Sequence, residues 1–264
     1  MTRFVALFVA LLAGVGVAVW YYRAPAGTEP APIVRNDDRW LDQLQSRTPK
    51  EVEQGTAALE ARGTAALPII RRTLQDTGAP PARRKAALKA TAILGARAAE
   101  AIPDVAAVLQ EPENAPEAAL ALSFMGSPAV PTLREAVGAE NPVVRREALR
   151  AIGKLRERAS IDPQIVVPIL LQGLEDADAA VRGVAVTYLG IVRDAPDKEV
   201  AGLIKALADE NAEVRQGAAV ALAEYGALAE PAVPALKKAS ADPDEEVRRE
   251  AGRTLVHLAE LKNR

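Results

Sequence analysis

The stretch Glu175–Gly190 reads EDADAAVRGVAVTYLG, and its pattern returns twice further along the chain. ADENAEVRQGAAVALA occupies Ala208–Ala223, and SADPDEEVRREAGRTLV occupies Ser240–Val256. Each stretch contains a valine–arginine pair, and the arginines of these pairs follow one another at intervals of 33 residues: Arg182, Arg215 and Arg248. A fixed period of this length is typical of a protein built from stacked structural repeats.

Two further markers keep the same register. An earlier valine–arginine pair ends at Arg145, and a proline or alanine precedes each of the four arginines by fourteen residues: Pro131, Pro168, Ala201 and Pro234. Leu67–Pro68 and Ile102–Pro103 extend this series upstream. An acid follows the marker by eight residues in five units: Asp76, Glu111, Asp176, Asp209 and Asp242. The spacing predicts two helices per unit, with the proline near the start of the first.

The three markers resemble the HEAT repeat, in the short form of the phycobilisome-lyase-like proteins, over residues 37–264. The resemblance implies an all-α fold, a right-handed α-solenoid of about seven HEAT-like helix pairs preceded by one transmembrane or signal helix. The early units depart from the pattern, because Glu53, Ala82 and Glu117 take the arginine position.

In the HEAT family the recurring aspartate and arginine join neighbouring repeats by hydrogen bonds. We therefore expect Arg182 and its equivalents to be structural, since the acids that recur with them neutralise their charge. Binding of an anion by a row of arginines is the alternative.

The composition limits the chemistry of the 264-residue chain. It has no cysteine, which excludes disulfides, thiolate metal sites and a cysteine nucleophile. The net charge is −2 overall and +2 within residues 1–36, which leaves −4 for residues 37–264. That balance argues against a nucleic-acid partner. Aromatic residues make up only 3% of the chain, so the core is expected to consist of Ala, Leu, Val and Ile.

The N-terminal segment Phe4–Tyr22 has 19 residues without a charge. As a helix it is about 28 Å long, close to the hydrocarbon thickness of a bilayer. We expect a single-pass anchor in the inner (cytoplasmic) membrane of a bacterial-type cell, with the repeats on the periplasmic or extracytoplasmic side. The alternative is a signal segment cleaved near Ala26, which leaves a secreted or periplasmic protein. The predicted domains are an anchor or signal, a Pro/Ala-rich linker and the solenoid, over residues 1–23, 24–36 and 37–264.

No catalytic pattern is evident in the sequence. His257 is the only histidine, and it is expected to pack in the last helix. It cannot form a metal site alone, and no glycine-rich phosphate loop occurs. We therefore expect neither catalytic, metal nor cofactor-binding residues, and no enzyme. The predicted function is a membrane-tethered or exported scaffold that binds another protein. The alternative is a HEAT-like, bilin-lyase-type enzyme or accessory subunit with an unrecognised site.

A partner site is predicted around EAALALSFMGSP, Glu117–Pro128, because no charge occurs between Glu117 and Arg134. Leu122 and Met125 are expected to form an apolar floor between two basic rims. The rims are formed by Arg84, Lys89, Arg146 and Arg150. Such a groove suits an acidic amphipathic helix or an anionic tail of a partner. The alternative is that this helix is simply more buried, because its unit is short.

Overall fold

Two helices form each repeat of the structure, a computed structural model that describes residues 38–158 and 161–262. Fourteen α-helices occupy these residues, and no strand occurs among them. The first helices of the repeats are α1 Arg39–Gln43, α3 Leu67–Gln75, α5 Ile102–Leu109, α7 Val130–Ala136, α9 Pro163–Gly173, α11 Pro196–Ala206 and α13 Val233–Ala239. The second helices are α2 Pro49–Arg62, α4 Pro81–Leu94, α6 Ala115–Met125, α8 Pro142–Glu157, α10 Ala179–Val192, α12 Ala212–Ala223 and α14 Glu245–Lys262.

The helices form two layers. Each first helix packs on the second helix of its own repeat, and from α4 onward each second helix also packs on the second helix of the next repeat. The second helices contact one another more extensively than the first helices do. The repeats are therefore held together mainly through the second-helix layer. An all-α helical repeat solenoid is confirmed, while its right-handed sense stays a prediction.

Helix starts follow the local sequence. The side chains of Asn141, Asp178 and Asn211 accept hydrogen bonds from backbone amides in the first turns of α8, α10 and α12. These caps satisfy amides that have no partner inside the helix. One predicted helix start is wrong: Pro168 lies inside α9, because Asp162 caps that helix one turn earlier.

Left-handed backbone ends several second helices. Gly63, Gly95, Gly126 and Gly226 have φ between 52° and 77°, a region that glycine enters without steric cost. Each of these glycines lies beside or within a short 3₁₀ segment that leads into the next first helix: Gly63–Ala66, Gly95–Ala101, Ser127–Ala129 and Gly226–Ala232. Arg193 also has a positive φ, 51°, after α10, but its ψ of 41° places it in the left-handed helical region, which residues other than glycine can adopt.

Alanine allows the close approach of the second helices. Each of the six second helices from α4 to α14 has at least one alanine with no exposed surface, such as Ala86, Ala118, Ala148, Ala185, Ala218 and Ala251. Leucine, valine and isoleucine fill most of the remaining core. The composition correctly predicts such a core, since small side chains compensate for the shortage of aromatic rings.

The predicted anchor and linker, residues 1–36, lie outside the described residues. Within residues 38–158 and 161–262, no helix is both long enough and apolar enough to cross a membrane.

Candidate functional site: a cation row on the second-helix layer

Four cations follow one face of α8 at intervals of four residues. Arg146, Arg150 and Lys154 lie on the helix, and Arg158 directly follows it. Residues four apart on a helix project from the same side, about 6 Å further along the axis. We call these four residues the α8 cation row. It extends over about 18 Å of the second-helix layer.

A buried carboxylate fixes two members of the row. Glu147 is only 2% exposed, yet its oxygens accept hydrogen bonds from Arg146 Nε at 2.9 Å and from Arg150 Nη1 at 2.8 and 3.0 Å. Both guanidinium groups remain partly exposed. Glu147 therefore positions the two arginines and leaves them nitrogen donors for a further partner.

The third member of the row, Lys154, is partly buried. Among the residues that the structure describes, Lys154 makes no ion pair. Partial burial lowers the pKa of Lys154, and the nearby positive charges of Arg158 and Arg150 lower it further, while Glu157 and Glu147 offset part of this effect. The row is thus a place where positive charge accumulates against repulsion.

Apolar side chains border the row on the side of α6. Leu120 and Phe124 are partly exposed and lie four residues apart on the same face of that helix. The guanidinium carbon of Arg158 lies 4.2 Å from the centre of the Phe124 ring. Arg158 also donates a hydrogen bond to Ser123 Oγ at 3.1 Å. The cation row and the apolar strip of α6 therefore form one continuous surface.

Helix α10 borders the row on the other side. The ring of Tyr188 packs directly against Gly153 of α8, where a larger residue would overlap it. Burial raises the pKa of Tyr188 to about 12, so its hydroxyl stays protonated at neutral pH. Thr187 and Ile191 of the same helix are exposed. The row thus lies between two strips that carry little charge.

The predicted floor of the groove is wrong. Leu122 and Met125 have no exposed surface and belong to the core. Helix geometry explains the error, since successive residues turn by about 100° and Leu122 therefore projects away from the side that carries Leu120 and Phe124. The alternative, that this helix is more buried than a surface helix, is confirmed for these two residues.

The two basic residues predicted on the N-terminal rim serve the scaffold. Arg84 is 8% exposed, and its guanidinium binds both carboxylate oxygens of Glu111, at 2.6 and 2.7 Å. Lys89 is half-buried and donates to the carbonyl of Leu44 at 2.8 Å, which caps the end of α1. The prediction that Arg84 is an exposed rim residue is therefore wrong. Of the predicted basic residues, the structure places only Arg146 and Arg150 on the cation row.

The repeating arginines form a second set with a different role. Arg182 Nε and Nη2 donate to the carboxylate of Asp209 in the next repeat at 2.7 and 2.8 Å, and Nη1 donates to the carbonyls of Asp176 and Ala177 in its own repeat. Arg145 and Arg215 make the equivalent bonds, to Asp176 and Asp242. The structural role predicted for these arginines is confirmed, and we call the set the arginine ladder.

The ladder has one member that the sequence pattern misses and one gap. Arg84 and Glu111 are 27 residues apart, as are Arg182 and Asp209, but the turn before Arg84 is two residues longer and hides the match. The gap lies between α6 and α8, where Glu117 pairs with Lys85 instead.

His257, expected to pack in the last helix, is exposed.

Metal-binding clusters do not occur in the part of the chain that the structure describes. No group of three or more His, Asp or Glu side chains there could hold a metal ion.

Comparison with solved structures identifies similar folds. A chain of the complex of CpcE and CpcF of phycocyanin lyase from Nostoc sp. PCC7120 is 25% identical, with a TM-score of 0.50 over 59% of this chain and 98% of that one. A chain in the structure of Kap95p binding to RanGDP is 16% identical, with a TM-score of 0.63 over 85% of this chain and 34% of that one. A structure of importin beta is 16% identical, with a TM-score of 0.58 over 84% of this chain and 33% of that one. The last two likenesses show the fold alone.

No curated protein matches the sequence significantly. A family model described as HEAT repeats matches residues 110–163 and 167–256, which is more than half of the chain. The match begins after Glu53 and Ala82, two of the three altered arginine positions, and includes the third, Glu117. The chain therefore belongs to the HEAT repeat family.

Proposed function

We propose that this chain is a scaffold that binds another protein on its second-helix layer. The observation that supports it is that the two sets of cations differ in their surroundings. The ladder arginines are satisfied by internal carboxylates and carbonyls. The α8 cation row instead lies on the surface, between strips of low charge, and has surplus donors. Arg146 and Arg150 share the single internal acid Glu147, so they keep donors that are available to a partner.

The residues on this surface favour binding over catalysis. Arginine keeps its proton throughout the physiological pH range, so the guanidinium groups of Arg146 and Arg150 recognise anions but do not transfer protons. The hydroxyl of Tyr188 also holds its proton, since burial raises its pKa to about 12. The surface therefore suits recognition of an anionic, partly apolar segment.

A photo-crosslinking experiment tests the scaffold function. The full chain carries p-benzoylphenylalanine in place of Thr187, which is exposed on α10, or in place of Lys205, which is exposed on the first helix α11. After irradiation of native membranes and soluble fractions, we expect a discrete protein adduct from position 187 and none from position 205. Equal adducts from both positions, or none from position 187, would rule out a partner on the second-helix layer.

The membrane tether is part of the proposal and rests on the sequence of Phe4–Tyr22. If this segment anchors the protein, the native chain stays with membranes through salt and carbonate washing, and its mass includes residue 1. A soluble mature chain that begins near Gly27 would instead establish export with cleavage.

A lyase-type enzyme or accessory subunit is the second candidate. It is supported by the likeness to the CpcE–CpcF complex of phycocyanin lyase, which extends over 98% of that chain. A lyase-type protein that handles a bilin should change the absorption spectrum of a phycobilin on mixing, and the scaffold should not. The measurement uses the purified full chain and compares it with an equal concentration of serum albumin.

A further inference from the structure

The α8 cation row carries more positive charge than the acids of its own helix neutralise. It contains four cations, and the acids of the same helix beside it are Glu147 and Glu157. Arg146, Arg150 and Lys154 alone outnumber these two acids by one, counting only the groups of α8 itself. The ladder arginines Arg84, Arg145, Arg182 and Arg215 instead form ion pairs between repeats.

We infer that the α8 cation row binds an acidic segment of the partner protein, whose carboxylates meet Arg146, Arg150 and Lys154 while an apolar side chain rests on Leu120 and Phe124. The inference builds on the proposed scaffold function and names the chemistry of its partner. Charge complementarity selects the occupant, because a cationic or neutral segment would gain nothing from the row.

The spacing of the row sets the spacing of the carboxylates. Successive cations are about 6 Å apart along α8, since four residues rise by that amount. Alternate residues of an extended chain are about 6.6–6.8 Å apart and project from the same side. A segment with an acid at every second position therefore brings successive carboxylates to successive cations.

The arginines are already held for this contact. Glu147 is buried and binds both Arg146 and Arg150, so little side-chain freedom is lost when a ligand arrives. Guanidinium groups fixed in this way retain planar donors suited to a carboxylate.

Lys154 offers the cleanest test of the inference. Burial and the neighbouring cations oppose its charge more than Glu157 and Glu147 favour it, so its removal should not weaken the fold. An arriving carboxylate would relieve the same repulsion. The charge of Lys154 is thus unfavourable for stability and favourable for binding, which a purely structural residue would not combine.

The experiment compares Lys154→Met with the control Lys205→Met in the full chain. Both variants lose one positive charge, but Lys205 is an exposed residue on the first helix α11. The probe is a fluorescein-labelled peptide of about ten residues with Glu at alternate positions and Leu or Ala between. Fluorescence anisotropy at low and high salt measures its Kd, and circular dichroism measures Tm.

We expect Lys154→Met to weaken peptide binding at least about threefold at low salt, and less at high salt, because screening reduces the lost attraction. Its Tm should stay equal to that of the unmodified chain or rise. Lys205→Met should leave the Kd unchanged. Equal weakening by both variants, or no peptide binding at all, would overturn the inference.

Two further outcomes separate the possible ligands and the two proposals. If a single-stranded oligonucleotide of equal charge displaces the peptide as effectively as the unlabelled peptide does, the row recognises charge alone and the inference of an acidic peptide is overturned. A position-187 adduct without peptide binding would overturn this inference and leave the scaffold function standing.

Discussion

Substituting Arg215 by alanine tests the arginine ladder, because it removes a link between the last two repeats. The guanidinium donates to both carboxylate oxygens of Asp242 at 2.8 Å, and to the carbonyls of Asp209 and Glu210 at 2.9 and 3.1 Å. The Arg215 and Asp242 side chains are only 12% and 10% exposed. The substitution thus leaves a largely buried carboxylate without its counter-ion.

The size of the loss follows from these contacts. Breaking a fully buried ion pair by removing one partner costs about 3–5 kcal/mol. Asp242 keeps the hydrogen bond from the amide of Asp244 and some contact with water, which lowers the expected loss to about 2–3 kcal/mol. For a chain of this size that corresponds to a fall in Tm of roughly 5–10 °C.

The last repeat provides a matched control. Arg248 holds the same position in α14, donates to the carbonyls of Asp242 and Pro243, and forms no ion pair with a following repeat in the described chain. Arg248→Ala should therefore lower the free energy of unfolding, measured by urea titration with circular dichroism, clearly less than Arg215→Ala. A double-mutant cycle with Asp242→Asn should show coupling to Arg215. Equal losses for the two arginines, or additive effects in the cycle, would refute the ladder.

Two other predictions concern packing and pH. Gly153→Ala should destabilise the fold by about 1–3 kcal/mol, because its methyl group overlaps Tyr188. The methyl group of Gly183→Ala instead enters open space, so this variant should be slightly more stable than the unmodified chain. Thermal melts of both variants check the contrast. The hydrogen bonds from ladder arginines hold the pKa values of Asp176 and Asp242 below their usual range. The stability that their ionisation contributes is therefore complete above about pH 4, and it is lost as the pH falls through the pKa values of the folded state. Urea titrations across acidic pH should show this loss, and replacing either aspartate by asparagine should reduce it.

The sequence predicts the parts of the structure that repeat. The spacing of Arg182 and Arg215, with their acids, predicts the fold class and the ladder, because a repeated contact between repeats requires the same residue types at the same interval. Composition predicts the alanine-rich core for a similar reason. Where the interval changes the prediction fails, as at Arg84, whose longer preceding turn shifts it out of register.

The partner surface is harder to predict from the sequence, because it depends on helix phase. The apolar run of α6 has no charged residue to mark its exposed side, so Leu122 and Met125 could not be distinguished from Leu120 and Phe124 before the packing of the helix was known. The cation row could have been found, since basic residues at four-residue intervals from Arg146 to Arg158 mark one helix face directly.

The central claim is that two neighbouring sets of cations have different roles: the arginine ladder holds the repeats together, and the α8 cation row binds a partner. Arg145 and Arg150 lie on the same helix and carry the same charge, but Arg145 is bound to Asp176 of the next repeat and Arg150 belongs to the α8 cation row. The most direct measurement is the affinity of the acidic peptide for Arg145→Gln and Arg150→Gln, at a temperature where both remain folded. We predict weaker binding for Arg150→Gln and an unchanged affinity for Arg145→Gln. Equal affinities for the two variants would contradict the division.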